Sequence, residues 1–166
     1  KYEALPKDIQ WHMIGHVQTN KVKYIAPFVS LIHGVDREKV LAEINKQGIK
    51  NNRVIDCLLQ VHIAQEESKF GFSEEEINQI LENGLDKYPN VKVRGLMGMA
   101  SNVDDNDQVR AEFKRLKNYK NEIATSFNLN NFDTLSMGMS GDFELAIEEG
   151  STMIRVGSSI FGARNY

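Results

Sequence analysis

Cysteine is nearly absent from this sequence, and its scarcity excludes an internal disulfide framework. The single cysteine, Cys57, lies inside an apolar run, so we expect a buried thiol rather than a catalytic one. This cysteine usage agrees with a reducing compartment, and we expect a cytoplasmic protein.

Long apolar runs and an excess of basic residues are also missing. No run approaches the ~20 apolar residues that a membrane-spanning helix needs, so no membrane partner is expected. With 20 basic and 23 acidic residues the net charge is -3, which argues against a nucleic-acid partner. There is no Cys/His cluster with zinc spacing and no Gly-x-Ser-x-Gly turn, so neither a metal site nor that nucleophile is predicted.

Six apolar runs are present, and most of them are apolar on both faces, as in a parallel sheet covered by helices. Helical patterns lie between them. Asp36 is predicted to cap one helix and Ser73 with Glu76 to form a capping box for the next, a longer helix follows Asp104, and a short one near Asp142 buries Ile147. We interpret the chain as one domain, residues 1–166. The predicted strands are 11–16, 31–35, 56–63, 91–99, 134–139 and 153–161.

Alternating strands and helices predict an α/β fold, either an open doubly wound sheet or a closed barrel. The Gly-x-Gly-x-x-Gly turn of the dinucleotide-binding open sheet is absent after the first strand. A parallel (β/α)8 barrel of the TIM type needs eight strands in about 250 residues. This chain would supply about six β/α units of one. The chain begins Lys1-Tyr2-Glu3 without a methionine, so we expect an N-terminally incomplete barrel domain.

The last two predicted strands end in turns of small residues, at 136–141 and 155–159. In parallel β/α folds, ligands meet the C-terminal ends of the strands, and barrels often bind a phosphate after the last two. Backbone N–H groups and the Ser140 and Ser158 hydroxyls could bind such an anion, with Gly138, Gly141 and Gly157 allowing a close approach. The alternative is that these are ordinary turn glycines.

Arg155 is a charged residue within an otherwise apolar strand, so it needs a partner. The partner could be a carboxylate in a structural ion pair, or a ligand. Among the other polar candidates, His12 and His16 would lie too far apart along a strand to share a metal. Gln18, Asn20 and Lys21 could line a site or cap a helix. Lys69 is interpreted as a surface lysine.

Five segments of the sequence form a distinctive set. They are WHMIGHVQTNK at 11–21, ESKFG at 67–71, RGLM at 94–97, TLSMGMSGD at 134–142 and RVGSSIFGARNY at 155–166. These segments resemble the pyridoxal phosphate homeostasis proteins, which share the barrel of the alanine racemase N-terminal domain. The resemblance covers the whole chain, in order. It implies pyridoxal phosphate as cofactor and a role in storing or delivering it, with apo-enzymes that use pyridoxal phosphate as candidate partners and no established catalysis.

The resemblance also implies roles for particular residues. Ser140, Gly157 and Ser158 would bind the phosphate, Arg155 would face the pyridine nitrogen, and Met139 would line the pocket. In the family the lysine that forms the Schiff base lies at the end of the first barrel strand. We expect that lysine upstream of Lys1, so no catalytic residue is assigned here.

Three functions compete at this point. The first is a cofactor carrier. The second is an enzyme resembling amino-acid racemases, which would need a second acid or base. The third is a non-catalytic binding fragment that associates through open sheet edges.

Overall fold

The computed structural model describes residues 1–66 and 70–162, which form six parallel strands arranged as a half-barrel. The strand order in the sheet is the chain order, so each strand pairs with the next one along the sequence. The α/β fold and the partial (β/α) barrel are therefore confirmed. The strands are β1 His12–Met13, β2 Leu31–Val35, β3 Ile55–Val61, β4 Val91–Gly98, β5 Thr134–Met139 and β6 Met153–Arg155.

Helices connect the strands and cover the outer face of the sheet. Two short 3-10 turns, Thr19–Lys21 and Leu85–Lys87, lie before the first helix and after the third. The capping box is confirmed, because the Ser73 hydroxyl accepts from the Glu76 N–H at 3.1 Å and the Glu76 carboxylate accepts from the Ser73 N–H at 2.8 Å. The helices are α1 Val22–Ile25, α2 Glu38–Lys50, α3 Glu74–Glu82, α4 Asn106–Ser126, α5 Phe143–Glu148 and α6 Ser158–Phe161.

The sheet has apolar side chains on both faces, and the two sets serve different purposes. The larger cluster lies under the helices and includes Leu96, Phe113 and Leu116. A smaller cluster of Leu31, Leu58 and Met97 comes from strand positions adjacent in sequence to residues of the larger one. Since successive strand residues point to opposite faces, this smaller cluster fills the concave side of the half-barrel.

The alternation of side chains along the strands also places polar residues on the concave face. His33 lies two positions after Leu31 and Arg155 two positions after Met153, so each points to the same face as that residue. Ser136 lies between two residues of the larger cluster, so it points to the opposite face from theirs. By the same alternation, all three side chains belong to the inside of the half-barrel. The concave face is therefore apolar beside β3 and polar where β2, β5 and β6 approach each other.

Four expectations from the sequence were wrong. The first strand covers only His12–Met13 rather than residues 11–16. The sixth strand stops at Arg155 rather than residue 161, because the Gly157 carbonyl accepts from the N–H groups of Ile160 and Phe161 and starts α6. Asp36 does not cap α2, since its carboxylate is bound to His16 and Arg37. Ile147 is 53% exposed, because α5 buries only Ala146.

Candidate cofactor-binding site

A cavity of about 970 Å³ lies at the C-terminal ends of the strands, within the concave face. Its size matches the upper range of ligand pockets, which is roughly 300–1,000 Å³. All five residues assigned to cofactor binding from the sequence lie along its wall. The lining residues are His12, Ile14, His33, Met139, Ser140, Gly141, Met153, Ile154, Arg155, Val156, Gly157, Ser158, Phe161 and Gly162.

The loops that follow β5 and β6 are joined by one hydroxyl. The Ser140 oxygen accepts from the N–H of Gly157 at 3.2 Å and from the N–H of Ser159 at 3.4 Å. Two backbone donors of one loop thus converge on an oxygen atom of the other. Donors in such an arrangement can also bind an oxyanion, since they already point at a common position.

The glycines of the two loops differ in what they are needed for. Gly138 has a φ of +93°, and a Cβ there would lie 2.5 Å from the Ala146 Cβ, so the packing of α5 against β5 requires a glycine. A Cβ at Gly141 or Gly157 would meet no atom of the described residues within 4 Å. Gly138 is therefore required for packing within the fold, whereas open space lies beside Gly141 and Gly157.

Arg155 is half-buried and is oriented by two neutral oxygen atoms. Its guanidinium donates to the Ser136 hydroxyl at 2.8 Å and to the Gly98 carbonyl at 3.0 Å. Burial lowers the pKa of Arg155 to about 10, opposed by the nearby Asp142, so the side chain is a cation at neutral pH. Within residues 1–66 and 70–162 it makes no ion pair, so the structural ion pair considered from the sequence is not formed there.

Sequence reasoning missed the polar side chains behind Arg155. Ser136, which we expected in a phosphate loop, lies inside β5 and is fully buried. Its hydroxyl lies 2.9 Å from Nδ1 of His33, and Nε2 of His33 lies 3.1 Å from Nδ1 of His12. The sequence signal that could have identified them is a polar residue between less polar neighbours in each of β2 and β5, at a position whose side chain points to the concave face.

His33 should make the folded chain sensitive to acid. Burial, together with the neighbouring His12 and Arg155, lowers the pKa of His33 from 6.5 to about 3. As the pH falls below 6.5, an unfolded chain therefore gains a proton at His33 that the folded chain does not. The free energy of unfolding should decrease by up to about 1.4 kcal/mol per pH unit from this group.

Urea unfolding of the wild type and of His33→Gln between pH 5 and 6.5 measures this effect. The wild type should lose stability faster than the variant as the pH is lowered. Parallel slopes for the two proteins would show that the folded state binds a proton at His33 as easily as the unfolded state does.

The remaining sequence candidates lie away from the cavity. Gln18, Asn20 and Lys21 are exposed in or beside the turn before α1, and none of them lines the cavity. The Nδ1–H of His16 donates to the Asp36 carboxylate at 2.7 Å and the ring stacks on Phe70, so it is a rim histidine. Residues 67–69, with Lys69, and residues 163–166 lie outside the described residues.

The buried state of Cys57 and the helix that follows Asp104 both agree with the expectations from the sequence. Cys57 is a buried thiol, and burial raises its pKa well above the usual value. The carboxylate of Asp105 caps α4 by accepting from the N–H groups of Asp107 and Gln108 at 3.0 and 3.1 Å. In the described ranges no three His, Cys, Asp or Glu side chains gather as a metal site would require, and no helix has the length and apolarity to cross a bilayer.

The family model of the alanine racemase N-terminal domain matches residues 3–165, which agrees with the half-barrel. Pyridoxal phosphate homeostasis proteins of Aquifex aeolicus and Vibrio alginolyticus are 45% and 40% identical to this chain, over 100% and 95% of its length. The chain belongs to the pyridoxal phosphate homeostasis protein family. The structure of PipY from Synechococcus elongatus PCC7942 with PLP bound superposes with a TM-score of 0.86 at 29% identity, covering 97% of this chain and 74% of that one.

The match does not extend over the relatives' full length. The chain spans 72% of the Aquifex protein and 66% of the Vibrio protein. The matched region is therefore a part of each relative and not the whole protein.

The residues present fit pyridoxal phosphate in its non-covalent contacts. One cavity brings together convergent N–H groups, two glycines and a cation. Within the described ranges, the glycines have no neighbour at the Cβ position and the cation forms no ion pair. No lysine lines this cavity among the described residues, so the structure offers no side chain there for the covalent attachment.

Proposed function

We propose that residues 1–166 are a single pyridoxal-phosphate-binding domain that serves the storage and delivery of the cofactor inside the cytoplasm. The observation that carries this proposal is Arg155, a cation without an ion-pair partner in the described ranges. Burial of a charge is costly when only neutral oxygen atoms accept from it and Asp142 acts on it without forming an ion pair, so an acceptor from a ligand would compensate part of that cost. The names of the relatives and the bound PLP of PipY support the choice of ligand.

The proposed contacts come from the C-terminal ends of β5 and β6 and from the loops that follow them. Ser140, Ser158 and the N–H groups of Gly157 and Ser159 bind the phosphate, where two of the donors already converge on one oxygen. Arg155 faces the pyridine nitrogen, and Met139 lines the pocket. When bound, the cofactor supplies an electron-withdrawing ring and a reactive carbonyl.

We further propose that the protein does not turn over amino acids. A permanent cation at the pyridine nitrogen keeps that nitrogen unprotonated, which weakens the ring as an electron sink. Binding of the cofactor and its transfer to apo-enzymes that use pyridoxal phosphate remain compatible with such a site. Exchange of the α-proton of alanine in heavy water, at a rate typical of enzymes, would contradict this part of the proposal.

Titration of the full chain with pyridoxal phosphate, followed by cofactor fluorescence, tests the binding. The informative variant is Gly157→Ala, because its Cβ meets no atom of residues 1–66 and 70–162 within 4 Å and folding should be unaffected. In the complex the methyl group would lie beside the phosphate, and we expect about tenfold weaker binding, equivalent to about 1.4 kcal/mol.

Ile160→Ala is the matched control, since Ile160 follows in the same segment, is largely exposed and does not line the cavity. Its melting temperature and its affinity should both equal those of the wild type. If Gly157→Ala also binds like the wild type, Gly157 is an ordinary turn glycine and the phosphate lies elsewhere.

A further inference from the structure

Four side chains form a continuous hydrogen-bonded series across the inside of the half-barrel. Arg155 on β6 bonds to Ser136 on β5, Ser136 to His33 on β2, and His33 to His12 on β1, at 2.8, 2.9 and 3.1 Å. β2 and β5 are not neighbours in the sheet. The bond between Ser136 and His33 therefore spans the concave face and connects its two sides.

The donor and acceptor roles along this series are set at its first member, Arg155. A guanidinium has donors and no acceptor, so the Ser136 oxygen accepts from it. The Ser136 hydroxyl is fully buried, and its own proton needs an acceptor, because an unsatisfied buried hydroxyl costs stability. Among the contacts of the described residues, Nδ1 of His33 is the only other partner of this hydroxyl. Ser136 therefore donates to His33.

The remaining protons follow from the neutral state of the two rings. Burial and the neighbouring cation hold the pKa of His33 far below neutrality, so this ring carries one proton, and with Nδ1 accepting it must lie on Nε2. His33 Nε2 then donates to Nδ1 of His12. Burial also lowers the pKa of His12, and in its neutral form the proton lies on Nε2. The charged groups near the series are Arg155 itself and Asp142, which acts on Arg155.

We propose that the cation at Arg155 fixes the direction of this series and so makes His12 a hydrogen-bond donor towards the cavity, a further ligand-binding residue that takes an oxygen acceptor of the ligand. Ser136 and His33 are positioning residues, because they act through Arg155 and His12. The inference deepens the proposed function, since the ligand is the same. The proton positions themselves depend only on the protein.

Nitrogen-15 NMR of the full chain labelled at its four histidines measures the proton positions without any ligand. Single substitutions of each histidine assign the signals. We expect His12 and His33 both to carry the proton on Nε2 at neutral pH. A proton on Nδ1 of His33 would reverse the series, would make His12 an acceptor towards the cavity, and would overturn the proposal.

Ser136→Ala removes the hydroxyl that connects His33 to Arg155, so the proton of His33 should no longer lie mainly on Nε2. Ser73→Ala, at the distant cap of α3, is the control and should leave the proton on Nε2. If both variants keep the wild-type proton positions, Arg155 does not set them. The wild-type measurement decides the direction of the series even if Ser136→Ala fails to fold.

Affinity for pyridoxal phosphate tests His12 as a ligand contact. His12→Gln retains an N–H donor near the position of Nε2, while His12→Leu has none. We expect about tenfold weaker binding for His12→Leu and a clearly smaller loss for His12→Gln. Equal affinity of His12→Leu and the wild type would remove His12 from the site and leave the proposed function intact. If the wild type itself does not bind, the proposed function and this contact both fail.

Discussion

Replacing Arg155 with methionine is expected to weaken the binding of pyridoxal phosphate by about 10- to 100-fold. Arg155 is the only lysine or arginine among the described residues that line the cavity. A hydrogen bond that involves a charged group contributes roughly 1.5–3 kcal/mol, and each 1.4 kcal/mol changes an affinity about tenfold. Titration of the full chain with the cofactor measures the loss.

Arg155→Lys is the control that separates charge from shape. Lysine keeps the positive charge but has no planar fork to donate to Ser136 and Gly98 at once. Its affinity should lie between those of the wild type and Arg155→Met. Urea unfolding should show that Arg155→Met is still folded, since the loss of two hydrogen bonds is offset by removal of a costly charge. Wild-type affinity in Arg155→Met would exclude this residue from the site.

The second large effect is expected at Gly95, where alanine should prevent the sheet from forming correctly. Gly95 pairs with Thr134 between β4 and β5 and has a φ of +152°. A Cβ there would lie 1.8 Å from the Thr134 carbonyl oxygen, so the two strands would have to separate. An unfavourable backbone conformation and overpacking each cost about 1–3 kcal/mol, together a large part of a typical stability of 5–15 kcal/mol.

Gly141→Ala introduces the same methyl group where no atom of the described parts of the chain lies within 4 Å. Its free energy of unfolding should remain within about 0.5 kcal/mol of the wild-type value. Urea unfolding of the two variants side by side measures the contrast. Similar stabilities for both would mean that β4 and β5 can accommodate a side chain at Gly95 at little cost.

The elements that the sequence predicted correctly have strong local signals. β2 and β5 have the predicted bounds because apolar, β-branched or small residues fill nearly all positions of both strands, with His33 as the exception, and turn residues follow. The capping box of α3 is correct because all of its contacts lie within four residues. The parallel α/β arrangement followed from the alternation of strands and helices, which is a property of order rather than of long-range contacts. The choice of a barrel over an open sheet rested on the missing dinucleotide-binding turn and on the family resemblance.

The incorrect predictions depend on contacts that local patterns do not contain. Residues 158–161 are apolar enough for a strand, but the Gly157 carbonyl starts a helical turn and leaves Phe161 86% exposed. Asp36 has the right residue type for a cap, yet His16, distant in sequence, competes for its carboxylate. The loops that line the cavity were identified, whereas the partners of Arg155 were not, because Gly98 and Ser136 come from other strands.

Because the strand order in the sheet equals the chain order, most of the sheet can form by adding each strand to its predecessor. Each addition needs only a short loop closure. The bond between His33 and Ser136 joins residues 103 positions apart, so it can form only after three more strands are in place. The chain should therefore acquire its secondary structure before its binding competence, with the interior of the cavity among the last parts to become ordered.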